Sequence, residues 1–443
     1  MSANISRESY LEKLIASEGD GMIKIVTGLR RCGKSYLLFN LFRKHLKESG
    51  VRDDHVVEIA LDQMAHERLR DPLLLAEHIR EKIRGRGKFY VLIDEIQMCR
   101  RVLRDGIDLA RIAPEDRDSA YVSFYDVLNE FQGSDKVEVY VTGSNSKTLS
   151  SDIATNFRGR GEVIQVHPLS FKELLRFKGG DDRRLFREYM MFGGMPAVVL
   201  KDGEIAKKEY LESLFREVYL RDLKERYKIG DDSVLDKVNT MVSSSIGSLT
   251  NPSKLAKAIF TNMQTKTSVA TVKRYLDMLE DAFLIRKADR YDVKGKRYLE
   301  YPSKYYVEDT GIRNALLAFR QLEQTHLMEN VVFNELVRRG FAVDVGVVYE
   351  DVRKGGTHQL KQREIDFVVN SPQGKVYIQS ALNVDDDDKH EREIVPFRLQ
   401  HDFFARMVVT GGDQPLFTDA TGISHVGIIP FLLDEAMLAQ IMK

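Results

Sequence analysis

The stretch Gly28-Leu-Arg-Arg-Cys-Gly33-Lys34-Ser35 spaces two glycines, three cations and a hydroxyl in the pattern G-x-x-x-x-G-K-[ST]. Residues of these types at this spacing suit a polyphosphate. The glycines let the backbone turn so that its N–H groups point at phosphate oxygens. A helix opening at the lysine directs its N-terminal dipole at the same anion. Gly28, Arg30, Arg31, Cys32, Gly33, Lys34, Ser35 and Tyr36 are then the candidates to line the phosphates of ATP. Lys34 would reach the β- and γ-phosphates, and the Ser35 hydroxyl would ligate Mg²⁺. Arg30 and Arg31 also read as solvated loop surface, and Cys32 as a small filler.

A second run, Phe89-Tyr-Val-Leu-Ile93-Asp94-Glu95, is an apolar strand ending in two acids. Asp94 is placed to hold Mg²⁺ through water, and Glu95 to polarise an attacking water. The glutamate separates a hydrolase from a phosphate binder. A third run, over 137–142, ends in Gly143-Ser144-Asn145-Ser146, whose polar tip offers Ser144 or Asn145 as a sensor of the γ-phosphate. In Phe157-Arg158-Gly159-Arg160-Gly161, an arginine is a candidate to reach a nucleotide held by a neighbouring subunit. A surface turn with solvated arginines is the competing reading.

These residues need a scaffold, and the pattern supplies one. The glycine loop follows a β-branched strand over 22–26 and opens a helix over 34–46. A strand over 55–61 and a helix over 72–84 precede the acidic strand, and a fifth strand covers 162–166. This is the order of a P-loop ATPase with an extra strand between the cradle strand and the Asp-Glu strand. In that fold the strand over 137–142 lies between the other two.

At 443 residues the chain is too long for one ordinary domain, and 43 % hydrophobic content is ample for buried cores. Lys+Arg and Asp+Glu both number 67, so any basic surface must be local. The two cysteines, Cys32 and Cys99, form no disulfide framework and fit a reducing cytosol. The polar start MSANISRESY lacks the apolar core of a signal peptide, and no apolar run nears the roughly 18 residues of a membrane span. The expectation is a soluble cytoplasmic protein without membrane contact. Histidines such as His66, His78, His326 and His358 show no paired zinc spacing.

From 169 the spacing of apolar residues turns helical over 171–178, 183–191 and 204–227, reading as a lid and connector. Two further helices, over 249–259 and 268–284, precede strands over 284–291 and 298–307 around Asp292-Val-Lys-Gly295-Lys-Arg297. Helix, turn, helix and basic hairpin outline a winged helix-turn-helix. Residues 254–297 hold 11 Lys+Arg against 5 Asp+Glu, a local excess in a neutral chain. Lys273, Arg274, Lys294, Lys296 and Arg297 are therefore the DNA-binding candidates. Winged helices also serve as packing or protein-contact modules.

The C-terminal stretch reads as a helix over 327–339 and strands over 342–349, 364–369 and 375–379. Glu329 and Asp366 resemble the acids of nucleases with a Glu…Asp…(Asp/Glu)-x-Lys site, whose chemistry needs clustered carboxylates for Mg²⁺ and a lysine to orient water. Gln379 stands where the second strand acid belongs, and Ala381 where the lysine belongs. The expectation is a degenerate site that does not cut DNA. Asp385 to Asp388 read as a solvated acidic loop.

Taken together, GLRRCGKSYLL, VLIDEIQ, VTGSNS, RGRGEV, HPLSFKEL and FGGMPAVV resemble the prokaryotic AAA-type P-loop ATPases that carry a C-terminal domain of unknown function. YLRDLKERY, KYYVEDTGIRNAL, MENVVFNELVRRG and REIDFVVN continue the likeness over nearly the whole chain. The resemblance implies an AAA-like core with Lys34, Ser35, Asp94 and Glu95 in the roles above, and Arg160 at the family's Gly-Arg pair. The stretch 99–123 looks like an insertion. The expected organisation is an AAA-type core (1–168), helical lid and connector (169–245), winged helix (246–310) and PD-(D/E)XK nuclease-like α/β domain (311–443). The expected function is an oligomeric ATPase, as a ring or otherwise, that binds or remodels DNA. The alternative is an ATP-gated switch that acts through protein partners and turns over slowly.

Overall fold

The structure is a computed structural model that describes residues 5–144, 161–230, 232–263, 267–354, 357–372, 374–383 and 387–442. The chain divides into two compact units, Met1–His167 with Asp281–Phe283, and Pro168–Glu280 with Leu284–Lys443. The four segments expected from the sequence are thus carried by two units.

The first unit is built on β1 (Ile23–Thr27), β2 (Val56–Ala60), β3 (Phe89–Asp94), a ribbon of β4 (Val102–Leu103) and β5 (Tyr121–Val122), then β6 (Val137–Thr142) and β7 (Gly161–Gln165). Five of these form one parallel sheet in the order β2-β3-β6-β1-β7. Every residue of β1, β3 and β6 is buried. Parallel strands covered on both faces need near-continuous apolar runs, and this chain supplies them except at Lys24 and Glu138. The strand β6 lies between β3 and β1, as expected, with Val26 beside Thr142 and Ile93 beside Val141. That register brings the C-terminal ends of three strands together. The one cation inside β1, Lys24, is buried at the other end, 2.7 Å from Asp20 and 2.5 Å from Glu138.

The helix after the glycine loop is continuous but not uniform. It is α over Lys34–Tyr36, π over Leu37–Phe42 and α again over Arg43–Glu48. The stretch 99–123 folds as the antiparallel β4–β5 ribbon closed by 3-10 turns at Leu109–Arg111 and Pro114–Ala120. Arg101 pairs with Asp118 at 3.0 Å and Arg104 with Asp126 at 2.7 Å along this ribbon.

In the second unit a capping box between Ser170 and Glu173 starts the helix Phe171–Lys178, and Asp182–Phe192 follows. The motifs FGGMP and EDTGIRN meet directly. Asp309 accepts the Gly194 N–H at 2.7 Å, and a Cβ on Gly193 would lie 2.1 Å from the Asp309 carboxylate. Asn314 donates to the carbonyls of Met190 and Met191 at 3.0 and 2.9 Å. Burial pushes the Asp309 carboxyl up to about 6, against the pull of three backbone N–H groups. The helices Pro252–Met263 and Val269–Asp281 precede the hairpin of β8 (Ile285–Asp292) and β9 (Arg297–Val307).

That hairpin does not stand apart as a wing. With β10 (Ala342–Lys354), β11 (Thr357–Ser371), β12 (Gly374–Ala381), β13 (Ala405–Thr410), β14 (Phe417–Thr418) and β15 (Ser424–Gly427), it forms one sheet. The order is β14-β15-β13-β12-β11-β10-β8-β9. The join is parallel pairing of β8 with β10, Arg290 beside Val345. The boundary expected at 310 therefore falls inside a sheet. Asp387 and Asp388, expected in a loop, open the helix Asp387–Arg398.

Candidate active site

The glycine loop takes the backbone conformations its sequence predicts. Gly28 has φ 138° and Gly33 φ 104°, both left-handed. At Gly28 a Cβ would also lie 2.0 Å from the Val166 carbonyl oxygen, so only glycine fits. Arg31 turns the loop at φ 65° and is exposed, as are Arg30 and Ser35. Cys32 is buried and donates its thiol to the Val166 carbonyl at 3.3 Å. Lys34 is buried, and its ammonium donates to the carbonyls of Gly28 and Leu29 at 3.0 and 3.1 Å.

Asp94 ends β3, and Thr142 ends β6 beside it. The Thr142 hydroxyl donates to the Asp94 carboxylate and accepts the Glu95 N–H at 3.0 Å. Glu95 itself has φ 53° and ψ 48°. A left-handed non-glycine residue costs on the order of 1–2 kcal/mol, and the Thr142 hydroxyl helps to hold it there. Gln97 donates to the Glu95 carboxylate and also reaches the Ser144 hydroxyl at 3.3 Å. Burial pushes the Glu95 carboxyl above its ordinary value. The nearby charges of Lys34 and Arg30 pull it back, and Asp94 pushes it further up.

One loop, two strand ends and the turn after β3 therefore bring Lys34, Asp94, Glu95 and Ser144 into one place. Thr142 and Gln97 join them, although the sequence reading did not single them out. Thr142 reads as the last residue of an apolar strand; its signal was its position level with Asp94. Asn145 and Arg160 lie outside the described residues. A cavity of about 730 Å³ is lined by Gln97 together with Arg101, Tyr121 and Asn129 of the 99–123 segment and the helix after it.

Residues 20–175 match the family described as "AAA domain", and residues 183–323 match "Domain of unknown function (DUF8612)". An uncharacterized protein of Haemophilus influenzae is 32 % identical over 439 residues, covering 97 % of this chain and 99 % of its own length. This chain belongs to the AAA domain family. A second relative of this AAA protein, from Methanocaldococcus jannaschii, is 30 % identical and covers 84 % of this chain and 77 % of its own. Among solved structures, the Aeropyrum pernix ORC1 protein in complex with DNA is similar at 13 % identity and TM-score 0.28, over 72 % of this chain and 94 % of that one. A Thermotoga maritima DNA polymerase III gamma subunit-related protein is similar at 10 % identity and TM-score 0.28, over 62 % and 97 %. Among the described residues of this AAA protein, no helix is long and apolar enough to cross a membrane.

The second unit of the AAA protein gathers Glu329, Asp366 and Gln379, and adds a cation the sequence reading did not place there. Lys304 on β9 lies 2.9 Å from Glu329, 2.6 Å from Glu364 and 3.6 Å from Asp366, and is buried. Tyr306 donates to Glu329 at 2.7 Å. The Gln379 amide oxygen accepts the Asp366 N–H at 2.7 Å, and its NH₂ donates to Glu393 at 3.2 Å. Burial pushes Glu329 up to about 7 against the pull of Lys304, while Lys304, against its own burial, is raised well above its ordinary value by Tyr306, Glu329, Asp366 and Glu364. The ammonium missing at Ala381 thus has a counterpart on another strand, but it is locked in ion pairs.

The basic candidates divide. Lys273 lies 3.7 Å from Glu300, with its ammonium 4.5 Å from the Tyr301 ring centre. Arg297 lies 3.5 Å from Asp292. Arg274, Lys294, Lys296 and Arg297 are exposed.

Proposed function

We propose that this AAA protein is an ATPase that hydrolyses ATP to ADP and phosphate, binds or remodels DNA, and works as a homo-oligomer. The observation that carries the reading is the meeting of Lys34, Asp94 and Glu95 at adjoining strand ends, with Thr142 fastening the two acids.

The residues fit a magnesium nucleotide. The left-handed glycines open the loop, and the Lys34 ammonium, now on two loop carbonyls, has donors to give to phosphate oxygens. Ser35 and Asp94 would hold Mg²⁺, which supplies positive charge against the phosphates. Lys34 neutralises charge on the β- and γ-phosphates. Glu95 accepts a proton from the water that adds to the γ-phosphorus as the bond to the bridging oxygen breaks. Its raised pKa, from burial and the neighbouring Asp94 charge, makes it a better proton acceptor than a solvated glutamate.

DNA binding is supported by the basic excess of residues 254–297 and by the exposure of Arg274, Lys294 and Lys296. Phosphate contacts need such charges where counterions can be released. Lys304 in its three ion pairs supports a second unit that holds DNA or assembles subunits without cutting it, and the nuclease-like fold belongs to this reading. Two buried free cysteines agree with a reducing cytoplasm.

Phosphate release measured with and without DNA tests the reading. Lys34→Ala should lose nucleotide binding, and Glu95→Gln should bind ATP but barely turn it over. DNA should stimulate the wild-type rate. Equal turnover by Glu95→Gln would remove Glu95 from the chemistry. Tightly held ADP with no DNA stimulation would favour the switch that acts through protein partners.

A further inference from the structure

The hairpin turn that carries Lys294, Lys296 and Arg297 borders a row of aromatic rings contributed by three separate segments of the second unit. Tyr291 and Tyr298, at the ends of β8 and β9, lie 5.3 Å apart between ring centres. The Lys375 ammonium, at the start of β12, lies 5.0 Å from the Tyr291 ring and 5.7 Å from that of Phe404. Phe404 in turn meets Tyr377 edge-on at 6.1 Å. Next to it, Phe403 is 104 % exposed, and Tyr298 is 64 % exposed. A fully exposed phenylalanine contributes nothing to the core, and this one follows directly on Asp402 and precedes Phe404, whose ring lies near the Lys375 ammonium.

The acids around this row are already engaged. Asp292 is buried, accepts the Gly295 N–H at 2.8 Å and lies 3.5 Å from Arg297. Asp344 accepts from the Tyr298 hydroxyl at 3.2 Å and from Asn370 at 3.1 Å. Asp402 accepts from the Tyr377 hydroxyl at 2.7 Å. Lys294 and Lys296 remain exposed at the rim, with Lys375 between two rings.

We infer that Tyr298, Tyr291, Phe404 and Phe403, with Lys294, Lys296 and Lys375 among them, form a platform for single-stranded DNA. Exposed rings accept base faces, which a duplex keeps stacked on each other, and the interleaved ammonium groups take the phosphates. Tyr291 and Tyr298 sit on the paired strands β8 and β9, and Phe403 and Phe404 lie in the loop that leads into β13 of the same sheet. The inference rests on the DNA-binding reading above and names the form of DNA and the surface that takes it.

The test is fluorescence anisotropy of the full chain with a labelled oligo-dT strand and with a duplex of equal length, over a range of salt. Wild type should bind the strand more tightly than the duplex. Phe403→Ala should weaken strand binding about tenfold, with duplex affinity, salt slope and thermal unfolding unchanged, and Phe403→Tyr should restore it. Lys294→Ala with Lys296→Ala should weaken both DNAs and flatten the salt dependence. Wild-type strand affinity in Phe403→Ala, with the lysine pair still weakened, would overturn the platform and leave the DNA reading intact. Failure of the wild type to bind either DNA would overturn both.

Discussion

Thr142 and Asp94 share a hydrogen bond across two parallel strands: the hydroxyl at the end of β6 donates to the carboxylate at the end of β3. The same oxygen takes the N–H of Glu95. One side chain thereby orients both acids of the candidate active site. Replacing it with the isosteric valine, Thr142→Val, removes the donor and acceptor without changing shape. Hydrolysis should fall by about 10- to 100-fold, as when the partners that orient a metal ligand are lost. Fluorescent ADP should still bind within a few-fold of wild type. Unchanged phosphate release would reduce Thr142 to a packing residue.

Gln97 offers a test through pH. Its amide donates to the Glu95 carboxylate and so favours the ionised form, against the burial that pushes this carboxyl up. A base must be ionised to work, so the hydrolysis rate should fall as pH drops through the Glu95 value. Gln97→Ala should raise that value further and move the acid limb of the rate profile to higher pH, with the plateau above it retained. An acid limb that stays in place would separate Gln97 from Glu95.

The cluster around Lys304 predicts a stability signature. Glu329 is raised from its ordinary 4.5 to about 7, so within that window the folded protein binds more protons than the unfolded chain. Stability should fall as pH rises through it. Glu329→Gln should flatten this dependence in urea denaturation, because an amide does not titrate. Lys304→Met should destabilise by about 3–5 kcal/mol by leaving buried carboxylates without their cation. Parallel pH profiles for wild type and Glu329→Gln would contradict the assignment.

Arg160 lies outside the described residues, and its proposed role across a subunit boundary is open to a mixing experiment. Arg160→Ala should bind ATP and hydrolyse it poorly. Combined with Glu95→Gln subunits, it should regain part of the turnover, since a mixed assembly contains interfaces with both residues intact. No gain at any ratio would confine Arg160 to its own chain.

The legible parts of this molecule are those fixed by local rules. The glycine spacing before Lys34, the mostly apolar strands and the acid pair after Ile93 each state their structure within a few residues, and the parallel sheet follows. Lys304 was hidden because its partners lie on elements distant in sequence: Glu329 is 25 residues away, on a helix, and the other acids are on β11. The hairpin misled for a similar reason. Helix, turn, helix and two strands is a local pattern, and nothing within it announces that β8 will pair in parallel with a strand more than 50 residues further on. Tyr291, Lys375 and Phe404 meet only once that sheet is complete.

The parallel pairing of β8 with β10 bears on how the chain can be divided. A protein shortened at residue 310, where the sequence pattern invites a cut, would keep the hairpin and lose the strand beside it. The outer edge of β8 would face water with unpaired backbone groups, a template for sheet growth between molecules. Lys304 would lose Glu329, Glu364 and Asp366 at the same stroke. The basic hairpin and the C-terminal acids are thus indivisible in folding and in inheritance, and an exchange of segments between relatives would have to carry both or neither.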